Sequence, residues 1–248
     1  MPPVWGALYT GMTDKSILRL DYCDHAAAAY AVKHWHYSHA MPAGKTINIG
    51  VWESGDFKGV IIFSRGSNNN IGKPYKLQQT EVCEMTRIAL TNHQTAVSRI
   101  ITIAIKLLTK ASPGLRLITN YADPDFGHTG AIYQAAGCVF IGMSHASDEY
   151  IVNGERHHGR SIRSSKPKHL TTKEYLAILD PNYQITVGSS KYSYLYPLDA
   201  AMKAQIAPLA KPYPKRVPSV DSGTIGDQPI SGGAIPTGTL AEMTAPND

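Results

Sequence analysis

The chain has 248 residues, 43% hydrophobic and 17% charged, with a formal net charge of +5. That length can bury one sizeable core, and no stretch approaches the roughly 18 consecutive apolar residues of a membrane span. The first residues lack a basic region followed by an apolar run, so no signal peptide is expected, and the widely spaced Cys23, Cys83 and Cys138 read as buried free thiols in a reducing compartment.

Residues 1–12 read as a flexible extension, and Ile17–Leu20 as a first strand. Asp24 is placed to cap a helix over His25–Lys33, whose alanine run favours that state. Ile47–Trp52 and Gly59–Phe63 flank Ser54-Gly55-Asp56 and predict a hairpin. Residues 65–79 form a long polar loop without a core of its own, and loops of that length in compact domains are often functional. A strand follows over Glu81–Leu90. Ser98 is placed to cap an apolar helix over Arg99–Lys110 that Pro113-Gly114 ends, and Leu115–Ala122 is the next strand. Thr129–Ala136 reads as a short helix stopped by Gly137, before a strand at Val139–Met143. Strand–helix–strand order with this spacing predicts parallel pairing through a right-handed crossover.

Beyond residue 146, Glu149–Gly154 signals a second hairpin whose outgoing arm leads into a basic run. Arg156, Arg160, Arg163, Lys166 and Lys168 are phosphate-contact candidates, and the long loop adds Arg65, Asn68, Asn69 and Asn70 as further polar contact candidates. Thr172–Leu179 reads as a helix, Lys191–Leu198 as a strand, and Asp199 as the cap of a last helix to Leu209. Residues 147–217 are therefore a basic hairpin and helix extension packed on a core of residues 13–146. After Arg216 there is no Lys or Arg, and residues 218–248 are rich in Gly, Pro, Ser and Thr without an aromatic residue. Such a tail buries too little apolar area to offset its ordering entropy, so disorder is expected there.

The order of elements over residues 80–142 resembles the second half of the GCN5-related N-acyltransferases (GNAT). That resemblance implies an α/β (α+β) fold, a mixed sheet flanked by helices, with a splayed pair of parallel strands holding an acyl donor. In that family a glycine-rich loop before the helix binds the coenzyme A diphosphate. Here the loop is 91–98, TNHQTAVS, and has no glycine for close backbone approach. The same comparison implies donor-phosphate roles for Arg87, Ser98 and Arg99, and makes Tyr133 a candidate to protonate the leaving group.

More specific segments lie at 34–38 (HWHYS), 41–45 (MPAGK), 50–53 (GVWE), 59–63 (GVIIF), 120–123 (NYAD) and 127–135 (GHTGAIYQA). Over about residues 13–216 this pattern resembles the Mom DNA-modification proteins of Mu-like bacteriophages. The resemblance implies an anti-restriction enzyme that converts adenine in host-cell cytoplasmic DNA to N6-carbamoylmethyladenine. Carbamoylmethyl and glycyl groups are isomers, so glycyl transfer to N6 followed by rearrangement accounts for the product. The expected donor is then an activated glycine such as glycyl-tRNA, with acetyl-CoA the conventional alternative. The expected partners are double-stranded DNA, tRNA and a second copy in a homodimer, with no membrane.

His36 and Tyr37 end the first helix at the expected cleft, where a histidine can serve as general base and a tyrosine can donate to an oxyanion. Asp123 follows a strand at the carboxyl end of a parallel pair, where ligands of such sheets bind. It either orients His36 or joins His36 and Tyr37 around divalent iron or zinc. Two other function classes stay open: an acetyl-CoA-dependent N-acetyltransferase acting on a small amine or protein, and a non-catalytic DNA-binding protein on a degenerate acyltransferase fold.

Overall fold

The computed structural model describes residues 18–66 and 70–215; the expected N-terminal extension, the tail, Asn68 and Asn69 lie outside the described residues. The first strand, β1 (Leu18–Tyr22), leads into α1 (His25–Trp35). Asp24 caps α1 as expected, its side chain accepting the Ala27 N–H at 2.7 Å. The hairpin of β2 (Thr46–Glu53) and β3 (Asp56–Ser64) turns on Ser54 (φ 51°) and Gly55 (φ 91°), the two positive φ angles of a type I′ turn. Then come β4 (Val82–Leu90), α2 (Val97–Ala111), β5 (Leu117–Ala122), α3 (Ala131–Ala135) and β6 (Val139–Met143). The remaining elements are β7 (Asp148–Val152), β8 (Glu155–His158), α4 (Gly159–Ser165), α5 (Thr172–Leu179), β9 (Gln184–Val187), β10 (Tyr192–Pro197) and α6 (Ala200–Ile206).

Seven strands form one mixed sheet in the order β1-β2-β3-β4-β5-β10-β6, and the other three form a small sheet, β8-β7-β9. The expected parallel pairing occurs between β4 and β5, but over only three residue pairs, from Val82↔Leu117 to Glu84↔Thr119. Past them β4 stays with β3 and β5 stays with β10, so the two strands part. The parallel partner expected for the strand at 139–143 is absent: β10 lies between β5 and β6, antiparallel to both. The segment read from sequence as an appendage therefore supplies an inner strand of the main sheet.

On one face of the sheet α2 buries Ile100, Ile101, Ala104, Ile105 and Leu108 against Ile49, Ile61, Phe63 and Ile118. Full burial of each such aliphatic side chain stabilises the fold by roughly 1.5–3 kcal/mol. On the other face the small residues Ala28 and Ala31 let α1 lie close on Val60, Ile62 and Ala89, while α6 packs Met202 and Ile206 on Leu117 and Leu195. The loop at 65–79 is not coreless, since Ile71 and Leu77 join that second cluster. A separate cluster of Tyr150, Val152, Ile162 and Leu176 holds the small sheet to α4 and α5. Among the described residues no helix is long and apolar enough to cross a membrane.

Candidate active site

The site forms where β4 and β5 separate, on the face covered by α1. His36 is the C-cap of α1 and Tyr37 follows it, while Asp123 follows the last residue of β5. The antiparallel register sets Tyr192 against Ala122, so the next step places Lys191 opposite Asp123. Lys191 Nζ lies 2.9 Å from Asp123 Oδ2. The other carboxylate oxygen of Asp123 accepts the Asp125 N–H at 3.2 Å, which tightens the short 3-10 turn Pro124–Phe126. The Tyr37 ring stacks on His36 at 4.3 Å, faces Phe126 at 4.2 Å and approaches His128 at 5.4 Å. Arg87, on the part of β4 beyond the split, donates from Nε to Ala40 O at 3.1 Å and from Nη1 to Thr86 O at 2.7 Å. The structure thus brings together His36, Tyr37, Asp123 and Arg87, four residues singled out in the sequence.

Electrostatics give these groups distinct characters. Burial, reinforced by Arg87, His128 and His39, pushes His36 down to about 3. Its Nδ1 accepts the Ser38 N–H at 3.1 Å, so the proton of the neutral ring resides on Nε2. His36 is therefore an uncharged Nε2–H donor near neutral pH, better suited to hold a developing oxyanion than to remove a proton. Burial raises the Tyr37 hydroxyl above its usual range, with Lys191 pulling it down and Asp123 pushing it up. In a pH titration followed by NMR, the carbon-bound ring protons of His36 are expected to stay flat between about pH 5 and 8, the span in which an unperturbed histidine titrates. A midpoint near 6.5 would remove the neutral-donor assignment.

The expected iron or zinc does not fit this arrangement. The Nδ1 acceptor role puts the proton on the ring nitrogen that would have to ligate, and Asp123 is engaged by Lys191. Among the described residues no three His, Cys, Asp or Glu side chains gather as a metal set.

Tyr133 lies close enough to Tyr37 and Arg87 to interact with both electrostatically, whereas the remaining sequence candidates are dispersed. Tyr133 is buried in the α2 core cluster near Tyr194, and burial keeps its hydroxyl protonated. Ser98 does not cap α2, which starts at Val97 after an N-cap of Ala96; Ser98 lies in its first turn and Arg99 is exposed beside it. In the basic extension Arg156 is paired with Glu149, and Lys166 donates to the carbonyls of Pro167 and Leu170. Arg163 and Lys168 are exposed, Arg160 sits on α4, and Arg65 is exposed at the start of its loop. The outgoing arm of that hairpin is only four residues long, and most of the basic run lies on α4 and the following loop, a helix not anticipated in the sequence.

Three residues escaped the sequence reading. Lys191 stands just before a strand whose pairing with β5 the sequence did not reveal. Phe126 is carried by the turn that Asp123 opens. Glu53, only 3% exposed, sends its two carboxylate oxygens to the backbone N–H groups of Gln94 (2.8 Å) and Thr95 (2.7 Å). Burial pulls its carboxyl upward, but hydrogen bonds from Thr95 and from those amides, with His93 nearby, outweigh it and leave Glu53 below its ordinary range. Glu53 thus ties down the loop just ahead of α2, whose own N-cap, Ala96, offers no side-chain acceptor. A hollow of about 630 Å³, lined by Lys106, Pro113, Arg116 and Asp199 among others, lies at the opposite end of β5 and β10 from Asp123.

The model of the Mom protein family matches residues 17–215, four fifths of the chain and every residue of the cluster above. The chain belongs to the Mom protein family. A curated Mom relative, "Methylcarbamoylase mom" from Escherichia phage Mu, is 28% identical over 153 residues, which is 60% of this chain and 63% of the relative. The match thus spans slightly less than two thirds of the relative's own length.

Proposed function

We propose that the chain is a phage DNA-modifying transferase that converts adenine in DNA to N6-carbamoylmethyladenine, on a GNAT-like scaffold, with an activated glycine as donor. The observation that carries this reading is the meeting of His36, Tyr37 and the Asp123–Lys191 pair at the parting of β4 and β5, in a chain of the Mom family. The Mom relative's name, a methylcarbamoylase, supports transfer of a carbamoyl-containing group in general.

The roles follow from the charges. The amino group of adenine is a poor nucleophile because its lone pair feeds the ring, so attack on a carbonyl needs an oxyanion partner and proton removal in the same step. The neutral Nε2–H of His36 donates to the developing oxyanion. Tyr37, under the opposing pulls of Lys191 and Asp123, relays the proton to the departing carrier oxygen. The new bond joins N6 to the glycyl carbonyl carbon, and the ester bond to the carrier breaks. In the second step the free glycyl amine attacks the purine carbon that bears N6, closing a five-membered ring. Cleavage of the original carbon–N6 bond then leaves a carbamoylmethyl group, an isomerisation that needs no further reagent.

Glu53 supports a donor other than coenzyme A. A GNAT loop offers free amides to a diphosphate; here the amides of Gln94 and Thr95 already hold a carboxylate. A diphosphate would have to displace a buried anion to reach them, and the two negative charges would repel.

The test is reconstitution with purified protein, duplex DNA and defined donors, read by intact mass of the released nucleosides. Glycyl-tRNA is expected to yield deoxyadenosine heavier by one glycyl equivalent, and RNase treatment or a His36→Ala change to abolish it. Equal modification after RNase with only acetyl-CoA supplied would refute the donor. An unchanged nucleoside profile under every donor, and in DNA from cells expressing the chain, would remove the enzyme reading.

A further inference from the structure

The rings around Tyr37 are more open to water than their character favours. Phe126 is 52% exposed and Tyr37 38%, although aromatic surface ordinarily gains by burial. The turn that carries Phe126 is nevertheless tied down. Asp125 N–H donates to Asp123, the Ser189 hydroxyl donates to the Asp125 carboxylate at 2.6 Å, and the Gly127 N–H closes on Pro124 O at 2.9 Å. Gly127 adopts φ 72°, a left-handed conformation that glycine accepts without strain. The fold therefore fixes a phenyl ring in water 4.2 Å from Tyr37, three residues after Asp123. Arg87 and Lys191 bring positive charge to the same place, as their pull on the Tyr37 hydroxyl shows. Exposed rings flanked by cations are the surface on which bases of a nucleic acid stack while the phosphates are held alongside.

The geometry points to Phe126, with Tyr37 behind it, as a stacking platform that receives an adenine extruded from duplex DNA. This rests on the function proposed above and adds the residue that holds the target base. A base inside a duplex presents only its edges, so an enzyme acting on its amino group must unstack it, and a ring waiting outside replaces part of the lost stacking. Phe126 is then a substrate-binding residue, and its contribution follows ring area, not charge.

The test uses the full chain with two duplexes. In one, the target adenine stands opposite an abasic site and is free to leave the stack; in the other, that adenine is itself replaced by an abasic site. The chain has four phenylalanines, and Phe57, Phe63 and Phe140 pack in core clusters, so ring-labelled phenylalanine separates the Phe126 signal. Its resonances are expected to move upfield with the first duplex only. Phe126→Ala is expected to weaken binding of the first duplex roughly tenfold and leave the second unchanged, and Phe126→Trp to restore the preference. Equal binding of both duplexes by the unaltered chain, or an unchanged preference in Phe126→Ala, overturns the platform. Neither measurement needs a donor or turnover. A chain that prefers the unpaired adenine yet modifies no DNA keeps the platform and loses the proposed function, whereas one that modifies DNA undiminished by Phe126→Ala does the reverse.

Discussion

Asp123→Asn is expected to lower adenine modification by roughly 100-fold or more, the scale of losing one charge-positioning group at a reacting centre. The change is nearly isosteric and keeps an oxygen for the Asp125 N–H, so the turn that follows β5 should persist. Its cost in folding stability should be small, because the Lys191 side chain is 42% exposed and such pairs contribute about 1 kcal/mol or less. The distinguishing signature lies in Tyr37. Asp123 raises that hydroxyl and Lys191 lowers it, so Asp123→Asn should move its titration down and Lys191→Met should move it up. Ultraviolet titration of the phenolate, against a Tyr37→Phe control, reads both shifts. Shifts of the same sign in the two variants, or full activity in Asp123→Asn, would contradict the assigned geometry.

Removing the Glu53 carboxylate should have the largest effect on stability. Glu53→Ala leaves the amides of Gln94 and Thr95 without their acceptor in a part-buried setting. Each orphaned donor costs about 1–3 kcal/mol, so a total of roughly 2–4 kcal/mol is expected. For a domain of this size that corresponds to a fall in Tm of roughly 5–15 °C. Glu53→Gln keeps one acceptor oxygen and should lose less. The pH dependence has a fixed sign: the carboxyl is held below its ordinary value of 4.5 in the folded chain, so its contribution is complete above that pH. It is lost as pH falls through the folded-state value, where the carboxylate takes up its proton. Denaturant titrations at descending pH should therefore show the difference between the unaltered chain and Glu53→Gln shrinking. A constant difference down to pH 3 would mean that the charge itself contributes nothing.

Much of the fold was legible because its signals are local. Asp24 before an alanine run, Ser54-Gly55 between alternating strands and Asn153-Gly154 in the second hairpin each encode their geometry within a few residues. The parallel contact of β4 with β5 followed from helix length and order. Local signals failed where partners are far apart in the chain. Nothing near Lys191 announces that its strand slots beside β5, yet that pairing creates the ion pair with Asp123. Ser98 has the chemistry of a cap, but the helix begins before it, at Val97, and the loop ahead is held by Glu53 from a distant hairpin. The cluster of His36, Tyr37 and Asp123 was foreseen through a family pattern. Its chemical character, a neutral imidazole and a phenol between opposite charges, required burial and contacts that composition does not carry.

The position of β10 bears on how the protein comes into being. Residues 117–122 and 139–143 acquire a shared neighbour only when residues 192–197 arrive. A nascent chain still lacking that segment has two unsatisfied strand edges and no lysine opposite Asp123, so catalytic competence should switch on late, after most of the polypeptide has left the ribosome. Contacts of such wide sequence separation slow folding and leave the growing chain open to aggregation. Shortened products that stop before residue 191 should accordingly be inert toward DNA, whatever the state of their first 150 residues.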